Sequence, residues 1–245
     1  GLPVPSPILV TVGQACLIER ALPGVTLESR PVALDGEGGR DLIAALARAL
    51  AAIHAPDLLV ASPAARLAPR RLRTSEHDAV RRSGDLGQLA AARDRDGARL
   101  LTDAECAALD DLARAALATL PDGYPLPLIH GDFRGANILV DATTHTLTGI
   151  IDFEMAGRAL PEFDLARFAQ RTLLPRAREG LLQWLSSAYA AAAAPPPGFP
   201  LRLAWERAEA AAGCVLAANF DASWQASVAL VRELAATWRT DPRVA

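Results

Sequence analysis

The sequence contains no lysine, and all 25 of its basic side chains are arginines. This sequence therefore has no lysine ammonium, a compact point charge, that could bind phosphates. Arginine is not a simple replacement, because its guanidinium is a planar fork with a different geometry. Together with the abundant alanine, this usage indicates the coding bias of a GC-rich genome.

Cysteine is scarce, and the patterns of exported or membrane proteins do not occur. Three widely spaced cysteines argue against a disulfide framework and against a zinc site, and they favour a reducing, cytoplasmic location. No apolar run approaches membrane-spanning length, and the N-terminus lacks the layout of a signal peptide. A net charge of −3 gives no reason to expect a nucleic-acid or membrane partner.

The stretch from residue 128 to residue 154 has the pattern of a β-hairpin with polar residues at its mouth. Two short β-rich runs, residues 138–140 and 147–151, flank a polar turn at residues 141–145. In an antiparallel hairpin, the start of one strand lies beside the end of the other. Residues just before the first run and at the end of the second should therefore meet.

Three oxygen-bearing side chains are predicted to meet at that mouth. Asn137 precedes the first strand, Asp152 ends the second, and Asp132 lies on the loop that leads to them. One amide and two carboxylates suit a hard cation such as Mg²⁺ together with a proton acceptor. Taken one at a time, each residue is better explained as a turn or strand-end cap, so the prediction depends on the combination.

Six residues of this stretch share a recognisable spacing: His130, Gly131, Asp132, Asn137, Ile151 and Asp152. The spacing resembles the catalytic core of the aminoglycoside phosphotransferase family, which has the protein-kinase-like fold. The resemblance is sharp over residues 128–166 and includes Asp-Leu-Ala at 164–166. It implies an α+β fold with a mainly helical C-terminal lobe that carries a catalytic β-hairpin, plus a remnant of N-terminal-lobe strands and a hinge.

The resemblance also implies a role for each residue of the site. Asp132 is the expected catalytic residue, which accepts the proton of the substrate hydroxyl, and Asn137 and Asp152 are the expected Mg²⁺ ligands. His130 is expected to orient the loop, and Asp164 is expected to anchor it. Glu154 is expected to support the metal ion, and Arg134 is expected to contact the transferred phosphoryl group.

The N-terminus is expected to hold what remains of a second lobe. Two β-prone runs predict a hairpin there: residues 8–12 and 15–19. The resemblance implies a hinge whose backbone binds the nucleotide at Glu19 and Ala21. We therefore divide the chain into residues 1–24, the lobe remnant and hinge, and residues 25–245, the C-terminal lobe.

The family's lobe normally also has strands over the phosphates, a lysine that pairs with them and a helix with a glutamate. These parts are not in this sequence. The first residue is Gly1 rather than methionine, so we expect a longer gene product in preference to a reduced family member.

Apolar residues at helical spacing predict six helices: residues 41–54, 102–120, 164–174, 176–194, 201–216 and 223–238. Gly38 and Gly39 are predicted to break the chain before the first, and Thr102 with Glu105 forms a capping box. His54 is predicted to be structural.

Two further features concern the surface of the lobe. Residues 56–100 mix arginines with acidic residues and predict a solvated helical insert. Glu206 and Glu209 lie three apart on one helix, and the resemblance implies that such carboxylates contact a cationic substrate.

Two functions from different classes follow. The first is a small-molecule kinase that transfers the γ-phosphate of ATP or GTP, with Mg²⁺, to a hydroxyl of a small substrate such as an aminoglycoside or another antibiotic. The second is a non-catalytic kinase-like binding module, or truncated pseudokinase, without the phosphate clamp.

Overall fold

The computed structural model describes residues 7–11, 16–19, 21–34, 36–55, 70–89, 91–92, 97–174, 180–217 and 222–241. The helices of these residues are α1 (Gly36–Ile53), α2 (His77–Ser83), α3 (Asp85–Leu89), α4 (Asp103–Ala118), α5 (Glu162–Phe168), α6 (Gly180–Ala193), α7 (Phe199–Leu216) and α8 (Ala222–Thr237). The strands are β1 (Pro7–Thr11), β2 (Cys16–Glu19), β3 (Val25–Thr26), β4 (Arg70–Leu72), β5 (Tyr124–Leu126), β6 (Leu128–Ile129), β7 (Ile138–Val140), β8 (Leu147–Ile150) and β9 (Gly157–Arg158). The predicted α+β class, with helices dominant, is confirmed.

The predicted central hairpin is present. β7 and β8 pair antiparallel, with Ile138 opposite Ile150. Asp141 closes the turn, because its Oδ1 accepts hydrogen bonds from the backbone N–H groups of Thr143 and Thr144. These bonds, that of Thr144 first, hold the pKa of Asp141 below its usual value. The sequence did not predict β3, which pairs with the outer side of β7.

The N-terminal hairpin is also present, since β1 and β2 pair antiparallel with Thr11 opposite Cys16. The predicted Gly13–Gln14 connection lies outside the described residues. β1 and β2 form a sheet of their own, whereas β3 joins the central hairpin.

Helix α1 corrects one prediction. It begins at Gly36, so the expectation that Gly38 and Gly39 break the chain is wrong. A Cβ on Gly39 would lie 2.2 Å from the carbonyl oxygen of Leu34, at the end of the preceding 3-10 turn. Glycine is therefore needed there for close packing of the chain onto the helix, rather than to interrupt it.

The buried side chains form two clusters. The first joins α1, the central hairpin, α5 and α6, with Leu46, Phe133 and Phe168 at its centre. The second joins α4, α7 and α8, and Leu72 of β4 packs into it. Helix α5 packs against α7, which brings the two clusters side by side.

The capping box and the last helix follow their predicted patterns. Thr102 Oγ1 accepts from the N–H of Glu105, and Glu105 Oε2 accepts from the N–H of Thr102. The predicted apolar stripe of α8 packs into the second cluster: Trp224, Val228, Val231, Leu234, Ala235 and Trp238. Among the helices described, none has both the length and the apolar character needed to cross a bilayer.

The predicted insert is described in part, from β4 to Leu89 and from Gly97 onward. β4 pairs antiparallel with β5, and the Arg71 guanidinium donates to the carbonyl of Gly123. Helices α2 and α3 follow, and α3 packs against α7. Residues 56–69, 90 and 93–96 of the insert lie outside the described residues.

Candidate active site

The approach to the site is shaped by Gly131. β6 ends at Ile129, and Gly131 has a φ of +85°, a conformation that residues with a Cβ rarely adopt. A Cβ there would also lie 2.1 Å from the carbonyl oxygen of Met155. A glycine between His130 and Asp132 thus allows the loop to turn against the segment that follows β8.

Asp164 anchors this turn from beneath. Its Oδ2 accepts from the N–H of His130 at 2.7 Å, and its Oδ1 accepts from the N–H of Gly131 at 2.9 Å. The same Oδ2 lies 3.1 Å from His54 Nε2, and His54 Nδ1 lies 2.9 Å from the Tyr189 hydroxyl. Asp164 is fully buried, so α5 holds the loop backbone through a carboxylate whose oxygens both have partners.

His130 connects the loop to the end of β8. Its Nε2 donates to the carbonyl of Ile151 at 2.9 Å, and its Nδ1 accepts from the N–H of Asp132 at 3.3 Å. A carbonyl can only accept, so these contacts fit a neutral ring with its proton on Nε2. The ring is buried and packs against Phe153. The geometry fits the predicted orienting role.

Asp132 and Asn137 are in direct contact. The Asn137 amide Nδ2 donates to the Asp132 backbone carbonyl at 2.9 Å and to its Oδ2 at 3.1 Å. Both N–H bonds of the amide point at Asp132, so the amide oxygen is directed elsewhere. In the part of the chain that the structure describes, no hydrogen bond uses that oxygen.

Asp152 is held beside Asn137 by the backbone. The N–H of Ile151 donates to the carbonyl of Asn137 at 3.0 Å, so Asp152 follows a residue bonded to Asn137. Asp152 is exposed and has left-handed backbone angles, φ 67° and ψ 62°, which turn the chain sharply after β8. Glu154, two residues later, is also exposed.

The donor set fits a magnesium ion that is bound mainly by a nucleotide. The described residues contain no cluster of three His, Cys, Asp or Glu side chains, so they offer no closed cage. Mg²⁺ usually takes one or two protein ligands and completes its shell with phosphates and waters. The free oxygen of Asn137 and the exposed carboxylate of Asp152 supply such a pair.

Two arginines contact the Asp132 carboxylate, and neither contact was predicted. Arg134, which was predicted to contact the transferred phosphoryl group, donates from Nε to Oδ2 at 2.8 Å. Arg167 Nε donates to Oδ1 at 3.3 Å from helix α5, 35 residues away in sequence. Sequence reasoning missed Arg167. Its position three residues after Asp164, on the same helix, was the available signal.

Thr172 is a second residue that the sequence did not single out. Its buried hydroxyl accepts from the N–H of Gly135 at 2.8 Å, within the loop that joins Asp132 to Asn137. It lies in the π-helical turn Ala169–Leu173 that continues α5. The same helical segment therefore fixes the loop at both ends, through Asp164 and Thr172.

The remaining predicted residues lie apart from these contacts. Glu209 Oε2 accepts from the N–H of Leu86 in α3, and Oε1 accepts from the indole of Trp205. Glu206 is buried in α7. Glu19 ends β2, and Ala21 is exposed. The substrate and hinge roles of these four residues stay predictions.

Solved structures support the fold. The GDP complex of wild-type aminoglycoside 2′-phosphotransferase-IIIa is 17% identical with a TM-score of 0.60, covering 96% of this chain and 76% of that one. Macrolide 2′-phosphotransferase MphH from Brachybacterium faecium is 22% identical with a TM-score of 0.58, covering 94% and 73%. A thermostable mutant of aminoglycoside phosphotransferase APH(4)-Ia, with AMP-PNP and hygromycin B, is 18% identical with a TM-score of 0.56, covering 96% and 78%. These likenesses confirm the expected fold.

A family model identifies the chain more directly. The model of the phosphotransferase enzyme family, APH, matches residues 1–195 of the 245. No curated protein matches the chain in sequence. The match contains all of residues 128–166, over which the resemblance is sharp. The chain belongs to the phosphotransferase enzyme family.

Proposed function

We propose that this chain transfers the γ-phosphate of ATP or GTP to a hydroxyl group of a small molecule. The observation that carries the proposal is the contact of the Asn137 amide with the Asp132 carboxylate, beside the backbone that holds Asp152. The proposal thus combines a proton acceptor and one candidate metal ligand on the loop before β7 with a second candidate ligand that follows β8. Phosphoryl transfer needs little else from a protein than positioning and charge neutralisation.

Asp132 is the proposed base. It accepts, or holds by a hydrogen bond, the proton of the attacking hydroxyl, and its orientation is set by Asn137 and by two guanidinium groups. Arg134, which is half-exposed, is the proposed contact of the transferred phosphoryl group. Asp164 and His130 do not touch the reacting atoms and keep the loop in shape.

Asn137 and Asp152 are the proposed ligands of Mg²⁺, with exposed Glu154 as a supporting acid. The bound ion would bridge phosphate oxygens and neutralise their charge. The orientation of the Asn137 amide is decisive, since both its N–H bonds are used on Asp132. The oxygen is thereby presented in advance, which lowers the cost of ordering the site when the nucleotide binds.

The nucleotide and the acceptor are proposed on likeness. Two of the similar structures are named as complexes with GDP and with AMP-PNP, which supports a purine nucleotide. The proposed hinge contacts at Glu19 and Ala21 rest on the resemblance in sequence. Their names also contain aminoglycosides, a macrolide and hygromycin B. A hydroxylated antibiotic is accordingly the first class of acceptor to assay.

The test is acceptor-dependent release of nucleoside diphosphate by the Asp132→Asn variant. We expect turnover to fall about 100-fold or more, because the side chain keeps its shape and loses its basicity. Asp141→Asn is the matched control, since Asp141 lies at the far end of the same hairpin, and it should keep wild-type turnover. Wild-type turnover by Asp132→Asn, with unchanged circular dichroism, would refute the assigned base.

A non-catalytic binding module is the second candidate, favoured by the complete lack of lysine. The two candidates differ in nucleotide binding. A wild-type chain that binds neither ATP nor GTP, with or without Mg²⁺, would favour the module.

A further inference from the structure

The carboxylate of Asp132 lies between two cations that differ in position. Arg134 belongs to the loop itself and has a half-exposed side chain, whereas Arg167 projects from helix α5 and is 28% exposed. Two guanidinium groups on one carboxylate leave an excess of one positive charge at the base. If Arg134 turns to the transferred phosphoryl group, Arg167 remains as the cation beside the acceptor hydroxyl.

Arg167 has unused donors. In the described residues its only ion pair or hydrogen bond is the one from Nε to Asp132 Oδ1. A guanidinium has five N–H donors, so four of them, on the two Nη atoms, remain available. Their planar fork matches the two oxygens of a carboxylate or phosphate group. Arg171, exposed and four residues further along the chain, adds positive charge on the same segment.

The acidic residues expected to attract a cationic substrate, Glu206 and Glu209, lie in contacts within the protein. Both oxygens of Glu209 accept hydrogen bonds, from the backbone of α3 and from Trp205. Glu206 is buried in α7, and burial first, and then the charge of Glu209, raise its pKa well above its usual value. Neither carboxyl group is an exposed surface charge.

We propose that Arg167 is a specificity-determining residue, which selects an acceptor with an anionic group beside the hydroxyl that is phosphorylated. The inference rests on the proposed transfer to a hydroxyl group, and it favours anionic acceptors over the cationic aminoglycosides that likeness alone suggests. Arg167 repels a positive group at that place in the acceptor, whereas a negative group accepts hydrogen bonds from its unused N–H donors. Two unit charges a few ångströms apart change a binding constant on the order of tenfold or more.

The experiment compares acceptors that share a scaffold and differ in charge. One series is glucuronate, N-acetylglucosamine and glucosamine; a second is glycerate, glycerol and serinol. We expect kcat/KM to fall from anion to neutral compound to cation, by about tenfold over each series. In Arg167→Gln the compounds of each series should have similar values of kcat/KM, chiefly because KM rises for the anions. Arg167→Lys should restore the order from anion to cation. Arg114→Gln, an exposed arginine of α4, is the matched control.

The outcomes separate the inference from the function on which it rests. A wild-type protein that binds no Mg²⁺-nucleotide contradicts the proposed function itself. If nucleotide binds and only water accepts the phosphate, the same compounds are scored as inhibitors of hydrolysis, with anions again expected to be strongest. A flat or reversed charge order in active wild-type protein overturns the inference. Equal losses for all charges in Arg167→Gln, a purely structural effect, overturn it as well.

Discussion

Glu206 is a single residue whose burial affects the stability of the protein across the pH range. Its side chain lies in the packed face of α7, and burial raises its pKa well above the usual 4.5. In the unfolded chain the carboxyl ionises near its usual value, whereas in the folded chain it keeps its proton to higher pH. The proton therefore favours the folded state below the unfolded pKa, and this advantage is lost as pH rises through the folded pKa.

We predict that Glu206→Gln removes this part of the pH dependence. Glutamine has nearly the same shape and cannot ionise, so the variant should gain stability relative to wild type as pH rises from 4.5 toward the folded pKa. The measurement is the free energy of unfolding in urea at a series of pH values. Glu209, whose pKa burial also raises, is present in both proteins. A difference between variant and wild type that stays constant with pH would contradict the assignment.

One buried cation, the guanidinium of Arg202, forms hydrogen bonds to several elements of the lobe. Arg202 of α7 donates from Nε to Glu162 at the start of α5 at 2.7 Å, and from Nη1 to Thr119 after α4 at 2.8 Å. It also donates to the carbonyls of Pro196 and Pro197. The arginine and the glutamate are both almost completely buried. The pair thus joins three helices and the proline-rich turn. Glu162 lies two residues before Asp164, which holds the loop backbone.

We predict that Arg202→Met lowers the free energy of unfolding by about 3–5 kcal/mol, because it leaves Glu162 buried without its partner. The double variant Arg202→Met, Glu162→Gln should recover part of the loss, since it removes the uncompensated charge. Urea denaturation of the two variants and wild type gives both numbers. Equal stability of single and double variants would mean that packing, rather than charge, dominates at this place.

Whether an element could be predicted from the sequence depends on whether the residues that determine it lie close together in the chain. The central hairpin, the capping box at Thr102 and the stripe of α8 follow from residues near each other in sequence, and all were predicted. The start of α1 was not, because Gly39 serves a close approach to Leu34 that only the folded chain reveals. β3 was missed because a strand of two residues has no detectable period in the sequence.

The candidate site divides in the same way. The convergence of Asn137 with the strand end at Asp152 is a consequence of hairpin geometry, so the sequence contains it. Arg167 reaches Asp132 only because α5 packs under the loop, and no local pattern encodes that distance. The bond from Leu86 that engages Glu209 likewise depends on the packing of α3 on α7.

At the scale of the whole molecule, one buried chain of contacts connects the loop before β7 to helices on both sides of the first core cluster. Asp164 of α5 holds the loop, His54 after α1 contacts Asp164, and Tyr189 of α6 contacts His54. Because α1 and α6 pack closely against each other, these contacts connect the loop to the packed interior of the lobe. Asp152, exposed after β8, is the proposed contact with the metal ion.

The central claim is that Asn137 and Asp152 together hold the ion that binds the nucleotide phosphates. Calorimetric titration of ATP and GTP, with Mg²⁺ and with EDTA, tests it directly on wild type, Asp152→Asn and the control Asp141→Asn. The account predicts that Mg²⁺ tightens nucleotide binding in wild type and in Asp141→Asn, and that Asp152→Asn loses at least about tenfold of that gain. Nucleotide binding by Asp152→Asn with the full wild-type dependence on Mg²⁺ would contradict it.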